Sequence, residues 1–278
     1  MTVAHIPLVG LNHGGPMPQL GLGTWPLDDD EAEGAVLAAF EVGYRHIDTA
    51  VKYGNETGVG RAVALGGLDR DELFITTKLD GTYQGADRAV AGLQGSLERL
   101  GLDHVDLLLI HWPLPARGEF VSTWRTFERL LADGLTRAIG VSNFKPAHLA
   151  TLAAETSVVP AVNQVQLSPF TPRRAEREYA AAHDIVIQSY SPIGAGGELL
   201  HADPVQELAG RHHRTPAQIV LRWHVQQGLV PVPKSADPTR IATNSQVFDF
   251  ELDEDDMAQL ATLDRGPDVG IDSDVDGH

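Results

Sequence analysis

The chain has 278 residues, 42% of them hydrophobic, no cysteine and a net charge of −17 at pH 7. This composition excludes a disordered or fibrous chain, disulfides, thiolate nucleophiles and Cys-ligated zinc. The acidic balance opposes nucleic acid and anionic lipid surfaces as partners, and no apolar run is long enough to span a membrane. Met1 to Val9 lacks a basic region followed by an apolar one, so no secretory signal is expected and a cytoplasmic location is the default. Only four lysines are present, Lys52, Lys78, Lys145 and Lys234, in a chain whose basic residues are mostly Arg.

Residues 5–19 read as a small β-hairpin around the turn-rich 11–15, placed to plug one end of the core. A regular alternation follows. Gln19 to Gly23 is a short apolar run, and Asp28-Asp29-Asp30 opens a helix carrying Val36, Leu37 and Phe40, since acidic residues suit the exposed amides and dipole of a helix start. Strands are expected at 45–48, 73–79, 105–110, 136–141, 161–166, 185–189 and 229–232. Helices are expected at 55–65, 84–100, 119–133, 146–154, 174–183, 203–212, 216–227, 238–244 and 254–263, the last an extra C-terminal one. Residues 191–200 read as a Gly-rich loop. Val105 to Ile110 is continuously apolar, as suits a strand buried on both faces.

Eight strands alternating with helices imply a parallel sheet with right-handed crossovers, and at this length a closed (β/α)8 TIM barrel forming one domain, 1–278. A doubly wound open sheet would be expected to carry G-x-G-x-x-G in its first βα turn. The chain has only Gly21-Leu22-Gly23 and Gly58-Val59-Gly60.

Barrel active sites lie at the C-terminal ends of the strands. Along that rim, Asp48 follows the second strand with Tyr53 in its loop, Lys78 ends the third and His111 ends the fourth. Singly, Asp48 could cap a helix, Lys78 could lie along apolar surface and His111 could be a satisfied core histidine. Together they make a coherent proton-transfer set. A free phenol has a pKa of about 10, and a neighbouring ammonium such as Lys78 is expected to lower it. Asp48 would hold Lys78 in place and balance it, and His111 would hydrogen-bond the substrate oxygen or share its proton. A Lys-tuned Tyr donating to an oxygen that becomes an alkoxide is what carbonyl reduction requires. Further along the rim, Ser142, Asn143 and Gln164 could hydrogen-bond a carboxamide, and Tyr190 could stack on a flat ring. Lys234, Ser235 and Arg240 form a basic cluster at a helix start, where backbone amides would help to bind a phosphate.

The stretches Leu20 to Trp25, 43–60, Thr76-Thr77-Lys78, Ile110 to Pro113, Ser142-Asn143-Phe144 and Pro233-Lys234-Ser235 to Asn244, taken in order, resemble the aldo-keto reductase family. The likeness is greatest to bacterial members similar to 2,5-diketo-D-gluconate reductases. The resemblance implies an NADPH-dependent reductase of aldehydes, diones or small keto sugars, with a tetrad of Asp48, Tyr53, Lys78 and His111 and Tyr53 as proton donor. It implies that Ser142, Asn143 and Gln164 hold the carboxamide and that Tyr190 stacks on the nicotinamide. Lys234, Ser235 and Arg240 would take the 2′-phosphate, Asn244 the adenine, and the loop Ser191 to Glu198 the diphosphate. Trp25, Trp112 and Lys52 would line the substrate side. A small-molecule carbonyl is the expected partner and a monomer the expected state. A cofactor-binding sensor without turnover is the alternative, which the complete tetrad opposes. Residues 264–278 read as a short, flexible acidic tail. Their Asp272 to Gly277 run copies the start of an EF-hand loop but lacks the distal Glu, and no metal is expected.

Overall fold

Residues 4–194, 197–267 and 269–277 are described in the computed structural model of the chain. The chain begins with a hairpin, β1 (Leu8–Val9) and β2 (Met17–Pro18). There follow β3 (Leu22–Gly23), α1 (Asp29–Glu41), β4 (His46–Asp48), α2 (Glu56–Leu65), β5 (Phe74–Leu79) and α3 (Ala86–Leu100). Next come β6 (Val105–Ile110), α4 (Phe120–Ala132), β7 (Thr136–Ser142), α5 (Pro146–Glu155), β8 (Val162–Gln166), α6 (Arg174–Ala182) and β9 (Val186–Tyr190). The last elements are α7 (Glu198–His201), α8 (Asp203–His212), α9 (Pro216–Gln226), β10 (Val230–Pro231), α10 (Pro238–Ser245) and α11 (Glu254–Ala261).

Strands β3 to β10 pair in parallel in their sequence order. The ladder closes on itself, because Gly21 N and Gly23 N donate to Pro231 O and Pro233 O at 3.1 Å each. This is the expected (β/α)8 barrel with its N-terminal hairpin and extra C-terminal helix. The helix starts follow local chemistry. Asp28, Thr215 and Asp253 each cap a helix and form a capping box with the residue three positions on.

Alternation along the strands sorts the barrel interior into storeys. The floor is apolar, with Met17, Phe74, Leu107, Leu109, Ala138 and Val162 packed together. Met17 comes from the hairpin, which thus plugs that end. Above the floor the strands turn His46, Thr76, Gln164 and Gln188 inward, all fully buried. Asp48 and Lys78 lie above these at the C-terminal rim.

Two expectations are corrected. The stretch 191–200 is not all loop, since it includes the single helical turn α7, and Ala195 and Gly196 lie outside the described residues. The acidic tail is not free over its described part. Lys145 Nζ donates to Asp272 Oδ1 and Asp274 Oδ2 at 2.5 and 2.6 Å. Arg173 Nη2 donates to Ile271 O at 2.9 Å, and Ile271 N donates to Gln166 Oε1 at 3.1 Å. The tail is held because its acids meet a lysine and its backbone meets two polar side chains, one at the end of β8 and one at the start of α6.

Candidate active site

Asp48 ends β4 and Lys78 lies one residue from the end of β5, both facing inward. Lys78 is fully buried. Its ammonium has three N–H bonds and three acceptors: Asp48 Oδ1 at 2.6 Å, Thr49 O at 3.0 Å and Tyr53 Oη at 3.2 Å. Tyr53 sits in a 3-10 turn, Val51–Tyr53, that ends at Gly54 in the left-handed region. His111 follows β6 and meets the Tyr53 ring edge-on, centroids 5.8 Å apart. The structure therefore brings all four residues of the expected tetrad to one point.

The electrostatics differ from the simple expectation. Burial pushes the Tyr53 phenol up, and this outweighs the lowering by Lys78. The reason is the pairing itself: Asp48 balances the ammonium and adds its own upward push, so little net positive charge reaches the phenol. For Lys78, burial pulls the ammonium down, but Asp48 and Tyr53 more than offset it and hold the group above its ordinary value.

The groups expected at a carboxamide are also gathered together. Gln164 Nε2 donates to Asp48 Oδ2 at 2.6 Å and to Gln188 Oε1 at 2.8 Å. Ser142 Oγ donates to Gln164 O at 2.9 Å. Asn143 Nδ2 donates to His111 O and Ser142 Oγ, while its Oδ1 accepts from Tyr190 Oη at 2.8 Å. Donors in this group are thus spent on the protein itself. Nothing among the described residues donates to Gln164 Oε1, which remains an available acceptor. Burial pushes the Tyr190 phenol well up.

A cleft of about 490 Å³ runs from Asp48 and Tyr53 past Trp25, Tyr190 and Ile193 to Lys234. Ser191, in the left-handed region, also lines it. At the far end Ser235 is buried while Lys234 and Arg240 are exposed. The expected help from helix-start amides is corrected: Asp237 caps α10 and takes the Thr239 and Arg240 N–H groups. An anion there would rest on side chains instead. Arg240 Nε reaches Ser235 Oγ at 3.3 Å and its Nη1 lies 3.4 Å from Asp237. Asn244 is buried on α10. Of the loop expected at a diphosphate, Glu198 is instead paired with Arg265.

On the substrate side, Trp25 is 55% exposed with its ring 5.3 Å from that of Tyr53. Lys52 is exposed. Trp112, also expected on this side, is not open to solvent. It is buried and lies nearly parallel to the His111 ring, and the tail passes over it at Gly277.

Asn55 stands at the start of α2 as expected, and its carbonyl accepts from Val59 N, but its side chain makes no capping bond. Its Nδ2 donates to Thr24 O and Leu27 O, and its Oδ1 accepts from Thr49 Oγ1 at 2.8 Å, so it ties the loops after β3 and β4 together. Three other supporting groups were missed: the Thr49 carbonyl, Gln188 and His46. A period-two reading would have found the last two, since His46 shares the inward face with Asp48, and Gln188 shares it with Tyr190.

Residues 18–265 match the Aldo/keto reductase family. The chain is 48% identical over 262 residues to 2,5-diketo-D-gluconic acid reductase B of Corynebacterium sp. (strain SHS752001), covering 94% of this chain and 95% of the relative. It is 45% identical over 276 residues to a methylglyoxal reductase of Salmonella typhimurium, covering 99% and 100%. Among solved structures, a mutant of Gox0644 in complex with NADPH superposes with a TM-score of 0.93 at 40% identity, covering 99% of this chain and 100% of that one. A barrel that gathers Asp48, Tyr53, Lys78 and His111 at its rim, with this likeness along nearly its whole length, belongs to the aldo/keto reductase family.

Proposed function

We propose that this protein reduces small aldehydes, ketones and diones, keto sugars among them, to alcohols with NADPH, and that Tyr53 is the general acid. The observation that carries this reading is the direction of the hydrogen bonds at Lys78. All three ammonium N–H bonds are committed, one of them to Tyr53 Oη. The phenol oxygen therefore accepts within the protein, and its own proton is left to point into the cleft. A substrate carbonyl oxygen seated there would receive that proton as negative charge builds on it. The ammonium at 3.2 Å then stabilises the phenolate left behind, and Asp48 keeps the ammonium in place. His111, edge-on to Tyr53, supplies a second polar group beside that oxygen.

The residues fit NADPH. When bound, it supplies the hydride. Gln164 Oε1 offers an acceptor for a carboxamide, beside Ser142 and Asn143, and Tyr190 and Ser191 form one wall of the cleft. At the far end, Lys234 has no carboxylate partner among the described residues, and Lys234, Ser235 and Arg240 suit a 2′-phosphate. Asn244 suits the adenine. Trp25, Trp112 and Lys52 border the substrate side. Two relatives are named for a diketo sugar acid and for methylglyoxal, so dicarbonyl compounds are the substrates to try first. We read residues 1–278 as one catalytic domain acting as a monomer in the cytoplasm, with no nucleic-acid or membrane partner.

The test is NADPH oxidation with methylglyoxal by the wild type and by Tyr53→Phe. Loss of a general acid should lower turnover by at least about 100-fold, with NADPH binding retained. Full activity in Tyr53→Phe would remove Tyr53 from the mechanism.

A further inference from the structure

A continuous hydrogen-bonded chain descends from Asp48 through the barrel interior to the hairpin at its floor. Gln164 Nε2 donates to Asp48 Oδ2 at 2.6 Å and to Gln188 Oε1 at 2.8 Å. Gln188 Nε2 meets His46 Nε2 at 3.2 Å, and His46 Nδ1 meets the Pro18 carbonyl at 3.3 Å. Thr76 Oγ1 lies 3.3 Å from His46 Nε2. His46 and Gln188 are fully buried, Gln164 is 1% exposed, and Gly21 closes over the ring so that a Cβ there would lie 2.8 Å from Nδ1. The members are thus shut off from bulk solvent.

Such a chain has a direction, and both of its ends set the same one. A carbonyl can only accept, so His46 Nδ1 carries the proton. Burial pushes this imidazole down to about 4, so the ring is neutral and Nε2 keeps its lone pair. Gln188 must then turn its Nε2 toward His46 and its Oε1 toward Gln164. Gln164 must in turn present Nε2 to Gln188. At the other end, a carboxylate accepts and so also demands Gln164 Nε2. The reverse arrangement would set Gln164 Oε1 against Asp48 Oδ2, acceptor against acceptor.

We propose that His46 and Gln188 are positioning residues that fix the amide of Gln164, so that its nitrogen supports Asp48 and its oxygen always faces the cleft as an acceptor. Resting on the NADPH reading, this assigns Gln164 Oε1 to a carboxamide N–H, selected from the barrel floor by the tautomer of a histidine that touches neither substrate nor cofactor. Without that constraint only the bond to Asp48 holds the amide of Gln164, which can then turn about it, so that its oxygen no longer has a fixed aim toward the carboxamide.

Two measurements decide it. First, binding of NADPH is compared with that of its reduced 3-acetylpyridine analogue, in which a methyl group replaces the carboxamide nitrogen. Wild type should prefer NADPH by about tenfold, the worth of one hydrogen bond to a buried acceptor. In Gln188→Met the preference should fall to about threefold or less, because an amide held at Asp48 alone no longer aims its oxygen at an N–H donor. A merely structural defect would weaken both ligands alike, and an unchanged preference overturns the proposal. Failure of the wild type to bind NADPH at all would instead sink the cofactor reading. Second, 15N NMR of the wild type at pH 7 should show His46 protonated at Nδ1 and bare at Nε2, whether or not the variant folds. The opposite tautomer, or a charged ring, would overturn the chain's direction.

Discussion

A phenol and an ammonium at 3.2 Å suggest a depressed phenol pKa, yet burial and the balancing carboxylate reverse the net effect at Tyr53. What Lys78 fixes instead is direction, by donating to the phenol oxygen and freeing its proton. The same reasoning applies at the far end of the cleft. Arg240 is exposed and only loosely held, by Ser235 and Asp237 at 3.3 and 3.4 Å. It is free to meet a phosphate through a charge-assisted bond worth roughly 1.5–3 kcal/mol. Arg240→Ala should therefore raise the KM for NADPH by roughly tenfold or more and leave that for NADH within about twofold. Equal losses for both cofactors, measured in steady-state assays, would remove the 2′-phosphate assignment.

Elements are set against one another by glycines as much as by apolar faces. Gly58 and Gly60 looked like an incomplete dinucleotide motif. They mark where α2 crosses its neighbours. A Cβ at Gly58 would lie 1.9 Å from Asp29 O at the start of α1, and one at Gly60 would lie 2.4 Å from Leu100 O at the end of α3. Gly58 N also donates to Asp29 Oδ1 at 2.6 Å. No side-chain rotation can relieve a clash with backbone, so Gly58→Ala should cost about 3 kcal/mol of stability, the upper part of the range for overpacking. Urea unfolding at 25 °C measures this, and a loss below about 1 kcal/mol would show that the two helices can slide apart. Glu56 extends the same anchoring. Its carboxylate accepts from Thr77 Oγ1 on β5 and from Arg99 on α3, so the helix after Tyr53 is tied to the strand that carries Lys78.

For the whole molecule, a polar storey inside the barrel makes stability depend on acid. Burial lowers His46 to about 4, Lys78 lowers it further, and Asp48, the Pro18 carbonyl and Asp106 oppose the shift. The unfolded chain takes up a proton there near pH 6.5, while the folded one resists until about pH 4. Between those values the unfolded state binds more protons, so stability is lost as pH falls from about 6.5 to about 4. The loss attributable to this residue is on the order of 3 kcal/mol. Thermal melting of wild type and His46→Gln across that window should show the steeper decline in the wild type. Parallel declines would mean that carboxylates elsewhere carry the acid sensitivity. No helix among the described residues is long and apolar enough to cross a membrane.

Periodicity, helix starts and length were enough to establish the barrel and to place Asp48, Lys78 and His111 at consecutive strand ends with Tyr53 in the loop after the first of them, because those signals are local and repeat eight times. Which way a hydrogen bond points is not local. It depends on partners far apart in the chain, such as Gln164 and Asp48, or His46 and Gln188. The tail read as free because its acids have no basic neighbour in sequence, and only folding brings Lys145 to them. Asn55 is legible as a helix start, but the second task of its side chain is not, because Thr24 and Leu27 arrive from the loop after an earlier strand. The sequence by itself determined the architecture and which polar side chains stand together at the barrel rim. Only the tertiary structure decided the direction of the bonds among them, because burial removes water as the default partner and leaves each donor to the acceptor the fold supplies.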